Sequence, residues 1–323
     1  MISYNENRTT ALIDVAETFG LPEANGLFME GFLESDHPAI PNIDAGYVFR
    51  KEQFRDVYGF LEDPDGDGFY IHGPTGCGKT SLIRQIAARL HWPVQDVTCH
   101  GRMELSDLVG QHTLVNGSMQ FMYGPLANAV KHGHILILNE IDLVDPSELA
   151  GLNGILEGSP LIIASNGGEV ITPHEKFRVV ATANSNGAGD SSGLYQGVLR
   201  QNGAFMDRFS LLEATYPDEE IESFILAKSA GALPEELRQK MISVANEVRR
   251  IFIGEADSDI SLSVTFSTRT LVRWARKTLR VRSPANPNAI EYALFRSLTA
   301  RAEEEERIAI HQIAKDIFGD HWA

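Results

Sequence analysis

Gly73-Pro74-Thr75-Gly76-Cys77-Gly78-Lys79-Thr80 follows the apolar run FYIH at 69–72 and leads into TSLIRQIAARL, where Leu82, Ile83, Ile86 and Leu90 share one helical face. A strand, a Gly-rich turn and an amphipathic helix in that order fit G-x-x-x-x-G-K-[ST], a loop that cradles the phosphates of a nucleoside triphosphate. The glycines let the backbone curl so that successive N–H groups face phosphate oxygens, and the helix adds its positive end. Lys79 then sits on the β- and γ-phosphates, the Thr80 hydroxyl ligates Mg2+, and Ser81 continues the first turn. Four fixed positions arise by chance in a chain this long at roughly one per cent, and matching flanks lower that further. Cys77 reads as a small filler whose backbone does the binding; the alternative is an oxidation-sensitive thiol.

Beyond this loop the runs VQDVTC at 94–99, HILIL at 134–138 and FRVVATA at 177–183 alternate with helical patterns. Strands interleaved with helices predict a parallel sheet covered on both faces, an α/β fold. After Tyr216-Pro217-Asp218 the β pattern fades, and residues 219–230, 234–252 and 268–281 read as helices, with a further helical stretch over 286–318. Pro217 and Pro234 stand near helix starts, where a missing N–H costs little. The expected domains are an N-terminal extension over 1–46, with an amphipathic stretch at 11–19, an α/β nucleotide-binding core over 47–215, a helical lid over 216–283 and C-terminal helices over 284–323.

Composition narrows the function classes. The 323 residues carry 28 basic and 44 acidic side chains, a formal charge of −16, and 43% of them are hydrophobic, enough for a substantial core. Cys77 and Cys99 are the only cysteines, so no disulfide framework or four-cysteine zinc site can form. The start MISYNENRTT lacks the basic-then-apolar pattern of a secretory signal, and no apolar run approaches a membrane span. A soluble cytoplasmic protein is expected. The acidic surplus argues against nucleic acid as a partner. The stripe Arg269, Arg273, Arg276, Lys277, Arg280 and Arg282 keeps a DNA-dependent motor as a minor alternative; the interleaved Leu271, Val272, Trp274, Ala275 and Leu279 read as the core side of the same helix. His132 and His134 lack further ligands at matching spacing for a metal site, and no Gly-x-Ser-x-Gly motif supports a serine hydrolase.

A phosphate loop needs an acidic partner at the end of a neighbouring strand, and HILIL is followed by Asn139-Glu140-Ile141-Asp142. The expected pair is Asp-Glu, with Asp holding the metal through water and Glu polarising the attacking water. Asn139 brings an amide that still bonds a metal-bound water but carries no charge. Glu140 keeps the role of base. Two outcomes stay open: turnover sustained by Glu140, or an ATP-gated scaffold that assembles and barely hydrolyses. Asp142 reads as a structural hydrogen-bonding acid or a helix cap before DPSELAGLN.

Together with VAETFGL, PNIDAGYVF, MELSDLVGQ, GPLANAVKHG, ATANSNGAGDSSGLYQG, MDRFS and STRTLVRWA, these motifs resemble the MoxR branch of AAA+ ATPases over nearly the whole chain, most closely the CobS type. The resemblance implies a P-loop NTPase (AAA+) parallel-sheet core with a C-terminal all-helical lid, ATP and Mg2+ as cofactors, and a homo-oligomeric, hexameric ring. It implies that Asn184 reads the γ-phosphate, that Arg208 enters the next subunit's site, and that Arg269 contacts nucleotide from the lid; singly, each arginine also fits a surface ion pair. It further implies a partner with a von Willebrand factor A-type domain and remodelling of a client, such as a metal chelatase. Two hairpin insertions, at LVNGSMQFMYGPLA and SPLIIASNGGEVITPHEKF, fit the branch, and Asn116-Gly117 and Gly167-Gly168 mark hairpin turns independently. Phe121, Met122 and Tyr123 are candidates for pore or partner contact, or for packing on their own domain. Asn139 departs from the CobS pattern, and GPTGCGKT is closer to the CbbQ and NorQ relatives.

Overall fold

The structure, a computed structural model, describes residues 8–190, 195–254, 262–281, 288–319 and 322. Arg282 of the basic stripe, Asn286 at the expected start of the last helical stretch, and residues 191–194 of the ATANSNGAGDSSGLYQG string lie outside them. Two compact units divide the chain: one holds residues up to Ala45, Phe49–Gly73 and Lys79–Ala214, the other Gly46–Val48, Pro74–Gly78 and the residues from Thr215 onward.

The first unit opens on an antiparallel ladder, β1 (Thr10–Asp14) with β2 (Phe28–Phe32), around the short helix α1 (Val15–Phe19). The single amphipathic stretch expected at 11–19 is therefore two elements. Residues 10–14 pair with β2, and Asp14 Oδ1 accepts the Glu17 N–H at 2.8 Å, capping a helix that buries only Val15 and Phe19. Helix α2 (Lys51–Glu62) packs Phe54, Val57, Phe60 and Leu61 inward. Then follow β3 (Gly68–His72), α3 (Lys79–Arg89), β4 (Val94–Thr98), α4 (Leu105–Val109), the hairpin β5 (Gly110–Val115) and β6 (Ser118–Tyr123), and α5 (Pro125–His132). Next come β7 (Ile135–Asn139), the short helices α6 (Pro146–Leu149) and α7 (Asn153–Leu156), the hairpin β8 (Leu161–Ile163) and β9 (Glu169–Ile171), β10 (Arg178–Ala183), α8 (Gly203–Met206) and β11 (Phe209–Glu213).

Five strands form one parallel sheet in the order β11-β3-β10-β7-β4. Ile135, Leu136, Ile137 and Leu138 of β7 are all 0% exposed, the continuous apolar run of a strand covered on both faces. Edge strand β11 was not anticipated. Its residues FSLLE leave Ser210 and Leu211 exposed, so no unbroken apolar run marks it. Register brings Asn139 opposite both Thr98 and Thr182, and Ala183 opposite His72. Polar side chains from neighbouring strands thus collect at the carboxyl edge of the sheet, where ligands bind in open α/β sheets.

Both insertions are hairpins, with Asn116 (φ 50°) and Gly117 (φ 80°) turning β5 into β6. Phe121 and Tyr123 pack against the core, whereas Met122 and the cross-strand pair Leu114 and Met119 are exposed. The candidate contact residues thus divide between the two roles. Tyr123 Oη donates to Glu169 Oε1 at 2.6 Å and takes a hydrogen bond from Lys131 Nζ at 3.2 Å, which ties one hairpin to the other.

The second unit is built from α9 (Glu219–Ala230), α10 (Glu235–Phe252), α11 (Thr268–Val281), α12 (Ala289–Ser297) and α13 (Glu304–Phe318). Leu226, Met241, Phe266, Trp274, Leu294 and Phe318 are among the side chains of its core. Within it Arg249 and the fully buried Glu222 form a bidentate pair at 2.7 and 2.9 Å. Among the described residues no helix is long and apolar enough to cross a membrane.

Candidate nucleotide-binding site

Beyond His72 the chain leaves the sheet through Gly73, with φ at 144°. Because Ala214 N donates to His72 O at 2.7 Å, a Cβ on Gly73 would lie 1.9 Å from the Ala214 carbonyl oxygen. Close backbone approach, as well as dihedral freedom, requires glycine there. Gly76 (φ 77°) is similar: its Cβ would fall 2.3 Å from Ser267 Cβ. Cys77 is buried and its N–H donates to Pro74 O at 3.4 Å, which fits the filler reading. Thr75 O accepts the Tyr216 hydroxyl at 3.0 Å, and the Arg249 guanidinium lies 4.4 Å over the Tyr216 ring.

Lys79, Thr80 and Ser81 open α3, where backbone N–H groups have no partner within the helix and the dipole is positive. Lys79 Nζ donates to Gly73 O at 2.6 Å and to Asn184 Oδ1 at 3.1 Å. The lysine and the asparagine, far apart in sequence, therefore meet. Thr80 Oγ1 donates to Asn139 Oδ1 at 2.5 Å, and Thr182 Oγ1 reaches the same oxygen at 3.2 Å. The other end of the Asn139 amide donates to Asp96 Oδ1 at 2.5 Å and Val97 O at 3.2 Å. Carboxylate and carbonyl oxygens only accept, so the amide nitrogen must face them and its oxygen must face Thr80.

Glu140 leaves β7 in the left-handed region (φ 56°, ψ 41°), which costs an L-residue about 1–2 kcal/mol. That reversal sets Glu140 in solvent while Ile141 and Asp142 are buried. Asp142 is 0% exposed, and its Oδ2 accepts the N–H groups of Asn184 at 2.9 Å and Ser185 at 3.1 Å. It is a hydrogen-bonding acid that fixes the backbone of Asn184; the helix in DPSELAGLN is capped by its own first residue, Asp145, which accepts from Ser147 N. Burial, reinforced by the Asp142 charge, pushes the Tyr70 phenol above its ordinary range, and its hydroxyl donates to Ser185 O at 3.1 Å. Burial also pushes the Cys99 thiol up to about 12, with Glu140 and Asp142 adding to the effect, so it carries little thiolate. His72 is lowered by burial, and Lys79 lowers it further against an opposing pull from Glu213.

Arg208 is engaged by its own chain: Nε donates to Glu157 Oε1 at 2.9 Å, and Nη1 bonds Ala204 O. Arg269 is exposed in the first turn of α11, which Ser267 caps by accepting the Thr270 N–H at 3.1 Å. His134 is buried with Nδ1 3.0 Å from Gln95 Nε2, its ring beside those of His37 and His132.

Three contacts carry no motif in the sequence: Asp96 beside Asn139, Glu157 on Arg208, and the buried Glu222–Arg249 pair. Asp96 stands beside another polar residue, Gln95, in the run at 94–99, so nothing local singles it out.

Residues 68–201 match the model of the AAA domain (dynein-related subfamily), and residues 222–317 that of the CbbQ/NirQ/NorQ C-terminal region. Aerobic cobaltochelatase subunit CobS of Sinorhizobium sp is 32% identical over 279 residues, covering 83% of this chain and 81% of CobS. Protein NorQ of Paracoccus denitrificans is 30% identical over 250 residues, covering 77% of this chain and 86% of NorQ. An uncharacterized protein of Bacillus subtilis, YojN, is 28% identical over 258 residues, covering 78% and 79%. A phosphate loop inside an AAA domain, joined to a NorQ-type C-terminal region, means that this chain belongs to the MoxR-type AAA+ ATPases alongside CobS and NorQ.

Proposed function

We propose that this ATPase works as a Mg2+-dependent, hexameric ring that remodels or activates a partner protein. The observation that carries the reading is the convergence of Lys79 with Asn184 and of Thr80 with Asn139 at one edge of the sheet. A γ-phosphate placed against Lys79 would be read by Asn184, whose backbone Asp142 holds. The residues present fit a magnesium ion: the Thr80 hydroxyl would ligate it, and the Asn139 amide oxygen, 2.5 Å from that hydroxyl, would bond a metal-bound water. Bound Mg2+ supplies neutralisation of the β- and γ-phosphate charge. Glu140 acts as base for the attacking water, and Arg269 approaches nucleotide from the helical lid. The residues of the phosphate loop, Gly73 to Thr80 with Ser81, supply the backbone cradle.

Arg208 is the arginine offered to the neighbouring protomer. Its ion pair with Glu157 does not oppose this strongly: Glu157 is exposed, and such pairs are worth about 0–1 kcal/mol. A neighbour's triphosphate, with more charge and less water around it, outbids that partner. The client remains a class: an enzyme or chelatase complex presented by a protein with a von Willebrand factor A-type domain. Arg208→Ala rings are expected to bind ATP and assemble while phosphate release falls by about 10³-fold or more, as for other arginines supplied across an interface. Sedimentation and steady-state phosphate release check this, and a native rate in assembled Arg208→Ala rings overturns the role in trans.

A further inference from the structure

Asn139 stands where the metal-binding carboxylate of a phosphate-loop ATPase is expected, and its neighbour across the sheet is a carboxylate. Strands β4 and β7 are paired so that Thr98 faces Asn139, and Asp96, two residues earlier on β4, reaches forward to the amide. Asp96 Oδ1 accepts Asn139 Nδ2 at 2.5 Å, while Asp96 Oδ2 lies 3.3 Å from Arg84 Nη1 on α3. The opposite face of the same amide, Oδ1, accepts the Thr80 hydroxyl at 2.5 Å. Carboxylate, amide and metal-ligand hydroxyl thus form one line across two strands and the first turn of α3.

We propose that Asp96 is a positioning residue that supplies the negative charge of the Mg2+ site through the Asn139 amide. The inference rests on the nucleotide reading above. Two physical effects act along the line. The ionised acceptor makes a short, charge-assisted hydrogen bond that holds the amide with its oxygen toward Thr80. Withdrawal of the N–H proton toward Asp96 also polarises the amide, so that Oδ1 carries more negative charge than a free carboxamide, a cooperative strengthening along the chain of bonds. Arg84 competes for Asp96 on the other side, but its side chain is 51% exposed against 30% for Asp96, so water screens that pair more than the inner one. Partners of this kind, one step removed from a metal, are worth about 10–100-fold in metal affinity.

The arrangement also makes an unusual forecast for Asn139→Asp, the change that restores the family's acid. In this chain it sets a second carboxylate against Asp96 and removes the donor that Asp96 and Val97 O share. It should lower Mg2+ affinity, not raise it. Exchanging the two, Asp96→Asn with Asn139→Asp, puts one acid and one amide back in contact.

The test measures the affinity of a non-hydrolysable ATP analogue by calorimetry, with Mg2+ and with EDTA, in the full chain and in D96N, N139D and the double variant. The gain conferred by Mg2+ should fall about 10–100-fold in D96N, fall in N139D, and return to about the wild-type gain in the double variant. In D96N the affinity in EDTA should not fall, which a merely structural rung between β4 and β7 would not require. A D96N protein that keeps the wild-type Mg2+ gain, or an N139D protein that exceeds it, overturns the role of Asp96. Wild-type protein showing no Mg2+ gain would instead defeat the nucleotide reading itself.

Discussion

Glu140 shows how one residue's backbone prepares its chemistry. In a strand it would alternate with its neighbours; in the left-handed region it steps out of β7 into solvent while Asp142 turns in to hold Asn184. The proposed base and the proposed phosphate reader are therefore oriented by a single turn. His72, at the mouth of the phosphate loop, gives this neighbourhood a pH signature. Burial and Lys79 disfavour its protonated form in the folded chain, so the unfolded chain takes up the proton first as pH falls. Stability is fully present above the unfolded value of about 6.5 and declines below it. Thermal midpoints measured across that range should fall, and His72→Gln should flatten the slope; an unchanged slope would remove His72 as its source. At this scale the loop lysine and Glu140 were legible because their motifs are contiguous in sequence. Asp96 was not, because its meeting with Asn139 depends on which strand lies beside β7 and in what register, and no local pattern encodes either.

At the scale of elements, legibility followed burial. Strands β3, β7 and β10 sit inside the sheet and announce themselves as apolar runs. Edge strand β11 exposes Leu211 and Ser210, and β1 pairs with β2 in a separate two-stranded ladder, so neither shows a distinctive period. Helices α9, α10 and α11 were readable because the β pattern fades after Asp218 and prolines stand near the first two starts, yet what fastens α9 to α10 was hidden. Glu222 and Arg249 are both polar and both buried, and Arg249 also donates to Phe266 O at 2.7 Å. Their charge alone would have placed each on the surface. Removing one partner leaves a buried charge uncompensated, so Arg249→Met should cost about 3–5 kcal/mol. Urea denaturation measures it, and a loss below ~1 kcal/mol would show that the pair contributes little to holding the helices together.

Across the whole molecule, an AAA domain and a NorQ-type C-terminal region supply the parts of an ATPase, and the formal charge of −16 makes its few placed cations informative. Arg269, Arg273, Arg276 and Arg280 form the exposed side of α11, while Leu271, Trp274 and Ala275 are buried. The amphipathic reading of that stripe is the one the helix adopts. Glu140 is proposed to drive ATP turnover although Asn139 replaces the usual acid. Steady-state phosphate release, measured beside ATP binding in the wild-type chain and in Glu140→Gln, tests it most directly. Mg2+-dependent release by the wild type is expected, with a Glu140→Gln protein that retains ATP but releases phosphate at least 10²-fold more slowly, the scale of a lost general base. A wild-type chain that binds ATP and releases phosphate no faster than Glu140→Gln would contradict it and leave an ATP-gated scaffold in its place.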